Sequence, residues 1–366
     1  MREAPLGLDV KRLVILCPSW VGDTVMATPV LRAAREALPQ ARIIAAARPG
    51  LDQLLAGLPW IDDVLSAETK GVVGALRTTR LIRTLRPDAV LVLPNSFRSA
   101  LIARGCGAPV RIGYDRDARG RLLTARLPAP AAGGEPVSTL EHYLALGRFA
   151  LGVDRIDPRM ELIVTDAEQS AARRVLESVD RPFVVLNPGA NKPPKRWPAD
   201  RFAAVADALA DRHELAVFVS GSPGETNVVR AVVEAATVPV VDLVQRGVTL
   251  GSLKAVLQRA RLLITNDTGP RHIAAALGTP VVGLFGPTDH RWTDIDCPHE
   301  RIVVAEPFLP EALVADEHPQ RCRIEKITVG DVVSACEKLL AASPAPVDAS
   351  LPAAGASIPS AAPECG

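Results

Sequence analysis

Short β-branched runs alternate with helical stretches along almost the whole chain, and this alternation narrows the fold more than any other feature. "RLVILCP" (Arg12 to Pro18) leads through a loop into "TVMATPVLRAAREALP" and on to "RIIAAAR", and "AVLVLPN" (Ala89 to Asn95) leads into "SFRSALIARGCG". The second half repeats the plan. "FVVLNPGA" precedes a helix near 198–212, and "LAVFVSGS" precedes another near 224–236. "VPVVDLV", the helix "LGSLKAVLQRA", "LLITND", a further helix and "VVGLFG" then follow. Such units build parallel sheets covered by helices, so the fold class is α/β.

At 366 residues the chain exceeds one modest core, and two domains are expected. The boundary is placed at 164, where "DPRMELIVTD" interrupts the alternation, giving domains 1–164 and 165–341 that face each other across a cleft. From 342 to 366 the chain is rich in Ala, Pro and Ser without periodicity, which predicts a disordered tail.

No apolar run approaches the ~18 residues that span a bilayer, which predicts a cytoplasmic protein with at most peripheral membrane contact. The six cysteines are scattered without a C-x-x-C pair, which fits reduced thiols and offers no zinc site. Net charge is +1, yet Lys70 to Arg126 holds twelve Lys or Arg against Asp88, Asp115 and Asp117. Two readings stay open for that stretch: attraction of an anionic partner, or a solvated surface. Arg77, Arg80, Arg83 and Arg86 spread over about 180° of a helix rather than forming one stripe. Neither a G-x-G-x-x-G after a strand nor a P-loop is present, which argues against those nucleotide sites.

In doubly wound sheets the ligand sits beyond the carboxyl ends of the strands, so the loops after the strands carry the chemistry. In "CPSWVGDTVMATP" the first strand is expected to end at Ser19, with Gly22 and Asp23 before a helix. Asp23 is either a base for an incoming hydroxyl or a helix cap. "NPGANKPPKRWP" sets Lys192, Lys195 and Arg196 after Gly189 on a proline-stiffened loop, a pattern suited to pyrophosphate. In "VSGSPGETN", the small residues Ser220, Gly221 and Ser222 allow close backbone approach, and Glu225 is suited either to ribose hydroxyls or to the helix dipole. "TNDTGPRHIAAALGTPVVGLFGPTD" (Thr265 to Asp289) ends a buried strand at Asp267, turns at Thr268 and Gly269, and opens a helix whose free amides and His272 face an anion. His272 is expected to point toward the mouth of the cleft.

"PSWVGD", "LPNSFRSAL" (with Asn95), "RIGY", "NPGANKPPKRWP" and "NDTGPRHIAAALGTPVVGLFGPTD" occur in this order between Lys11 and Asp289. As an ordered set they resemble the ADP-heptose:lipopolysaccharide heptosyltransferases of glycosyltransferase family nine, most closely the heptosyltransferase II branch. The resemblance implies a GT-B fold of two Rossmann-like domains, the first binding the acceptor and the second the donor. It implies inverting transfer of L-glycero-D-manno-heptose from ADP-heptose onto the inner core of lipopolysaccharide. The acceptor is then an anionic Kdo-lipid A or heptosyl-Kdo-lipid A, with the first heptose as the receiving sugar. No cofactor, metal or nucleic acid is implied. Asp23 becomes the base, Lys195 and Thr268 hold pyrophosphate and Glu225 holds ribose. Asp267, Gly269 and His272 line the donor sugar and phosphate, and Ser19, Gly22, Asn95, Gly189, Lys192 and Ser222 are further contact positions. A GT-B sugar-nucleotide epimerase and a non-catalytic nucleotide-sugar-binding protein are the competing readings.

Overall fold

The computed structural model describes residues 5–7, 9–130, 135–177, 179 and 181–342. The first half comprises β1 (Arg12–Leu16), α1 (Val21–Met26), α2 (Thr28–Ala37), β2 (Arg42–Ala47), α3 (Asp52–Leu55), β3 (Asp63–Ser66), α4 (Gly71–Thr84), β4 (Ala89–Val92), α5 (Phe97–Gly105), β5 (Val110–Asp115), β6 (Ala125–Pro128) and α6 (Thr139–Leu151). The second comprises α7 (Asp166–Val175), β7 (Phe183–Asn187), α8 (Ala199–His213), β8 (Ala216–Val219), α9 (Thr226–Ala235), β9 (Val240–Asp242), α10 (Leu250–Arg259), β10 (Leu262–Asn266), α11 (Gly269–Ala276), β11 (Val281–Phe285), β12 (Glu300–Val304) and α12 (Val329–Ala342). Of the segment expected to be a tail, only Ala342 falls among the described residues, where it ends α12; 343–366 lie outside them.

The strands form two six-stranded parallel sheets, ordered β3-β2-β1-β4-β5-β6 and β12-β11-β10-β7-β8-β9. In each, the order reverses at the centre, between β1 and β4 and between β10 and β7. Connections leave opposite faces of the sheet at such a point, so a crevice opens beyond the carboxyl ends of those strands. β7 and β10 are buried along their whole length, which explains their unbroken apolar runs.

Alternate residues of each strand feed different cores. Leu13 and Ile15 of β1 join Val185 of β7 and Leu263 of β10 in one cluster that continues through α2, α6, α10 and α11, so the two halves share an apolar seam. Val14 and Leu16 instead face α4 and α5, while Val184, Leu186 and Ile264 face α8, α9 and α12.

The stretch from 152 to 164 is held from both sides. Arg32 of α2 pairs with Glu161 and donates to the Asp157 carbonyl at 2.8 Å. Lys254 of α10, fully buried, donates to the Ile163 carbonyl at 2.8 Å and pairs with Glu168 at 2.9 Å. Glu168 also closes the capping box that starts α7 on Thr165.

Candidate active site

The two reversals bring four strand ends to one crevice. Beyond β10, Thr268 is the N-cap of α11, Gly269 its first residue and Pro270 its second. Asp267, between strand and cap, is held by two partners: Lys195 Nζ donates to Oδ2 at 2.9 Å and Thr293 Oγ1 to Oδ1 at 3.2 Å. Burial pushes its carboxyl up, but Lys195, Arg271, the hydrogen bond from Lys195 and His272 outweigh burial, and the net shift is downward. Asp267 is therefore a settled carboxylate.

Lys195 ends a 3-10 turn (Pro193–Lys195), and its loop is anchored from below. The Trp197 indole, 1% exposed, donates to the Ile327 carbonyl at 3.0 Å. Asn266 Oδ1 accepts from the Trp197 amide at 3.2 Å, and Asn266 Nδ2 donates to the Pro188 carbonyl at 2.8 Å. Arg196, which the sequence sets among the anion-binding cations, turns back to the Ala190 carbonyl at 2.9 Å. Asn187, at the end of β7, donates to Thr265 and Thr268 at 3.3 and 3.2 Å and accepts from Ser220 at 3.0 Å. These buried polar residues fix the Thr268 hydroxyl; sequence reasoning gave Asn187 and Asn266 no role and took Ser220 only for a small residue that allows close backbone approach. Their signal is positional: Asn187, Asn266 and Thr265 are polar groups at the ends of otherwise apolar strands, where a buried polar side chain needs partners.

On the other side of the crevice, β1 ends at Leu16 rather than at Ser19, since Pro18 carries no amide for the ladder. Ser19 accepts from Arg48 Nη1 at 3.0 Å through its carbonyl. Asp23 is the third residue of α1. The N-cap is Trp20 and receives no side-chain bond, and among the described residues the Asp23 carboxylate takes part in no hydrogen bond. The cap reading thus has no counterpart in the structure. Burial, and then the charge of Asp267, push the Asp23 carboxyl up to about 6. The Tyr143 hydroxyl is pushed well up by burial, and then by the Asp23 and Cys17 charges.

α1 and α11 meet across the seam through two glycines. A Cβ on Gly22 would fall 2.6 Å from His272 Cδ2, and one on Gly269 would fall 2.5 Å from Val21 Cβ. His272 therefore lies beneath the seam, 3% exposed, rather than at the mouth of the cleft. Burial, then the Arg271 charge, push its imidazole down to about 3, so it is neutral at physiological pH. Its Nδ1 is buried without a partner among the described residues. Arg271 beside it is locked onto Glu300 at 2.5 and 2.7 Å and stacks on Phe285.

Glu225 lies against the backbone of Gly189, beyond β7, with Oε2 accepting from the Ser222 amide at 2.8 Å and hydroxyl at 2.7 Å. One carboxylate oxygen thus closes a capping box on the turn Pro223–Glu225, while the start of α9 receives no side-chain bond, and the carboxylate as a whole lies against Gly189. Asn95, beyond β4, accepts from the buried Arg119 at 3.2 Å. Lys192 is exposed. Asp23, Gly22, Lys195, Asp267, Thr268, Gly269 and His272 therefore form one group, and Gly189, Ser222 and Glu225 a second at the ends of β7 and β8. Among the described residues no group of three His, Cys, Asp or Glu is placed to hold a metal ion.

The profile of Glycosyltransferase family 9 (heptosyltransferase) matches residues 76–307. Lipopolysaccharide heptosyltransferase 2 of Salmonella typhimurium is 30% identical over 297 residues, covering 77% of this chain and 84% of that protein. Its Escherichia coli counterpart is 29% identical with the same coverage. The solved structure of E. coli ADP-heptose lps heptosyltransferase II superposes with a TM-score of 0.77 at 26% identity, over 90% of this chain and 99% of that one. A family 9 glycosyltransferase from Veillonella parvula, 24% identical, shares the fold with a TM-score of 0.79 over 92% and 99%. With the profile spanning both crevice loops of the second sheet, and with two parallel sheets arranged as in these GT-B neighbours, the chain belongs to glycosyltransferase family 9, the heptosyltransferases.

Proposed function

We propose that the chain transfers L-glycero-D-manno-heptose from ADP-heptose, with inversion, onto the first heptose of the lipopolysaccharide inner core. Residues 1–164 bind the acceptor and 165–341 the donor. The observation that carries this reading is the opposition across the seam of an unpartnered carboxyl raised to about 6, Asp23, and a lysine-bearing anion site, Lys195 with Thr268. The donor and acceptor class follow from the relatives, which are ADP-heptose and lipopolysaccharide heptosyltransferases.

At neutral pH Asp23 is mostly ionised and basic enough to take the proton of an acceptor hydroxyl. As that oxygen bonds to the anomeric carbon, the carbon–oxygen bond to the β-phosphate breaks and its electron pair leaves with ADP. Lys195 has three N–H donors, and only one serves Asp267, so the ammonium has capacity for a phosphate. The free amides at the start of α11, with Gly269 close by, and the Thr268 hydroxyl stabilise the same growing charge. Asp267 holds donor sugar hydroxyls, and neutral His272 supports this wall from beneath. Glu225 Oε1 takes the ribose, beside Gly189 and Ser222. Ser19, Gly22, Asn95 and Lys192 lie on loops that donor or acceptor passes. The basic stretch from Lys70 to Arg126 draws in the anionic acceptor from the cytoplasmic face of the inner membrane, with the protein peripheral to it.

The test is incubation of the purified chain with ADP-heptose and heptosyl-Kdo-lipid A, reading ADP release and the mass of the glycolipid. Acceptor-dependent ADP release with the mass gain of one heptose is expected. Donor binding without release over either core acceptor would overturn the proposal.

A further inference from the structure

Exposed apolar side chains concentrate on one part of the first domain. Val72, Val73, Leu76 and Leu81 of α4 are at least 42% exposed, Val72 reaching 75%, and Phe97 and Leu101 of α5 are about half exposed. The two helices lie side by side on one face of the first sheet, packed through Ile82, Ala100 and Ala103 onto Val90 and Val92. At 100° per residue, Val72, Val73 and Leu76 share the outward face of α4 with Arg80 and Arg83, opposite the buried Gly74, Thr78 and Ile82. The arginines spread widely around the axis, as the sequence indicates. The structure adds that the face they flank is apolar at the end nearest the crevice.

The charge on this surface is one-sided. Arg77, Arg80, Arg83, Arg98 and Arg104 are exposed, and among the described residues neither their guanidinium groups nor the Lys70 ammonium pairs with a carboxylate; the one acid beside the start of α4, Glu68, accepts from the Lys70 backbone amide at 2.8 Å. Neither α4 nor α5 contains an acid. A second copy of this chain would bring the same cations against these and be repelled. An anionic bilayer matches both properties, taking apolar side chains into its headgroup boundary and pairing the arginines with its phosphates. α4 is about 21 Å long, and no helix among the described residues is long and apolar enough to cross a membrane, so contact is along the surface.

Position supports the same occupant. α4 follows β3 and α5 follows β4, so the helix starts that carry Val72, Val73 and Phe97 lie at the carboxyl edge of the sheet. Asp23 lies at that edge too, as does Trp20, which is 63% exposed. A protein resting on this edge would present its crevice to a sugar attached to a lipid. We propose that the outward face of α4 and the start of α5 dock the protein on an anionic phospholipid surface. This names the surface for the peripheral contact proposed above, and rests on that contact but not on the transfer reaction.

The test is co-sedimentation of the full chain with vesicles, in the absence of donor and sugar acceptor. The wild type binds vesicles containing about one-third phosphatidylglycerol and is released by salt, while pure phosphatidylcholine leaves it in solution. Val73→Asp with Leu101→Asp lowers binding at least about tenfold. Arg77→Gln, Arg80→Gln and Arg83→Gln together lower it by about fivefold per arginine. All these residues are exposed, so melting curves stay at the wild-type position. The Val73→Asp, Leu101→Asp protein also keeps wild-type transfer to a deacylated, water-soluble acceptor, and loses transfer to the same sugar embedded in vesicles. Equal vesicle binding by variants and wild type would overturn the proposal, as would wild-type indifference to anionic lipid. A dimer in solution that these substitutions dissolve would overturn it in favour of a protein interface. If the wild type binds vesicles as described yet transfers no sugar to the soluble acceptor, the transferase reading fails and the docking surface stands.

Discussion

Asp23 and Asp267 occupy related joints of the two sheets, one in the helix after β1 and the other at the end of β10, yet their carboxyls move in opposite directions. Both are desolvated. Asp267 answers burial with Lys195 and Thr293 and is lowered, whereas Asp23 has no hydrogen-bond partner among the described residues and is raised to about 6 by burial and then by the Asp267 charge. The second domain thus uses its acid as a fixed anion that positions a lysine, and the first keeps its acid basic. Partners, rather than residue type or place in the fold, divide the two roles.

The largest expected break in this comparison is Asp23→Asn. Loss of a positioned base lowers heptose transfer by about 10²–10⁴-fold, while ADP binding measured by calorimetry stays near wild type. The same substitution raises stability. A carboxyl whose folded value lies near 6 and whose unfolded value is 3.8 favours folding below the lower figure and loses that contribution as pH rises through the upper one. Asn carries no charge to desolvate, so at pH 8 the variant should gain on the order of 1–3 kcal/mol, with little gain at pH 4. An unchanged melting temperature at pH 8 would show that Asp23 is not desolvated as described.

Lys195→Met acts on the other member of the pair. It strips Asp267 of its cation and the donor site of its ammonium. Donor affinity should fall by about ten- to a hundredfold, and stability at pH 8 by about 1–3 kcal/mol, because a mostly buried carboxylate keeps only Thr293 as hydrogen-bond partner. Opposite stability changes in the two variants, read from denaturant unfolding, are the signature of the contrast.

Much of this arrangement was legible before the structure. The apolar runs of β1, β4, β7, β10 and β11 announced parallel strands because both faces of each are covered. The edges were harder: β9 (Val240–Asp242) lies within the run "VPVVDLV", but β3 (Asp63–Ser66), β6 (Ala125–Pro128) and β12 (Glu300–Val304) are only partly buried and their pattern is weak. Asp23, Lys195 and Asp267 could be picked out because loops after central strands face the crevice. The direction of each carboxyl shift could not, because it depends on a contact between residues 195 and 267 and on a seam between residues 22 and 272. For Glu225 the structure shows a local role, Oε2 accepting from the Ser222 amide and hydroxyl of its own turn, and the ribose contact stays with the proposed function. His272 was misjudged in direction because helix position says nothing of a second domain packed over it.

The seam itself can be tested with Gly22→Ala. The added methyl falls 2.6 Å from His272 Cδ2, and the buried ring has little room to retreat. Overpacking of this kind costs about 1–3 kcal/mol, and forcing α1 from α11 separates Asp23 from the donor wall. Transfer should drop about tenfold or more, with a smaller effect on ADP affinity, since Lys195 and Thr268 belong to the second domain alone. An equal loss in both would place the damage in the donor site rather than in the alignment of the halves.

The finest probe is Asp267→Asn, read as a pH profile. Transfer by the wild type should rise as Asp23 ionises, with an acidic limb near 6. Burial is the larger cause of that value and the Asp267 charge the smaller, and only the second is removed by the substitution. The limb should therefore move down yet stop short of the ordinary 3.8, while the plateau falls because Lys195 loses its tether. A limb that stays near 6 would mean that burial alone sets the base. A limb that drops to the ordinary carboxylate value would mean that Asp23 is more open to water than its place on α1 indicates, and that the charge across the seam does most of the tuning.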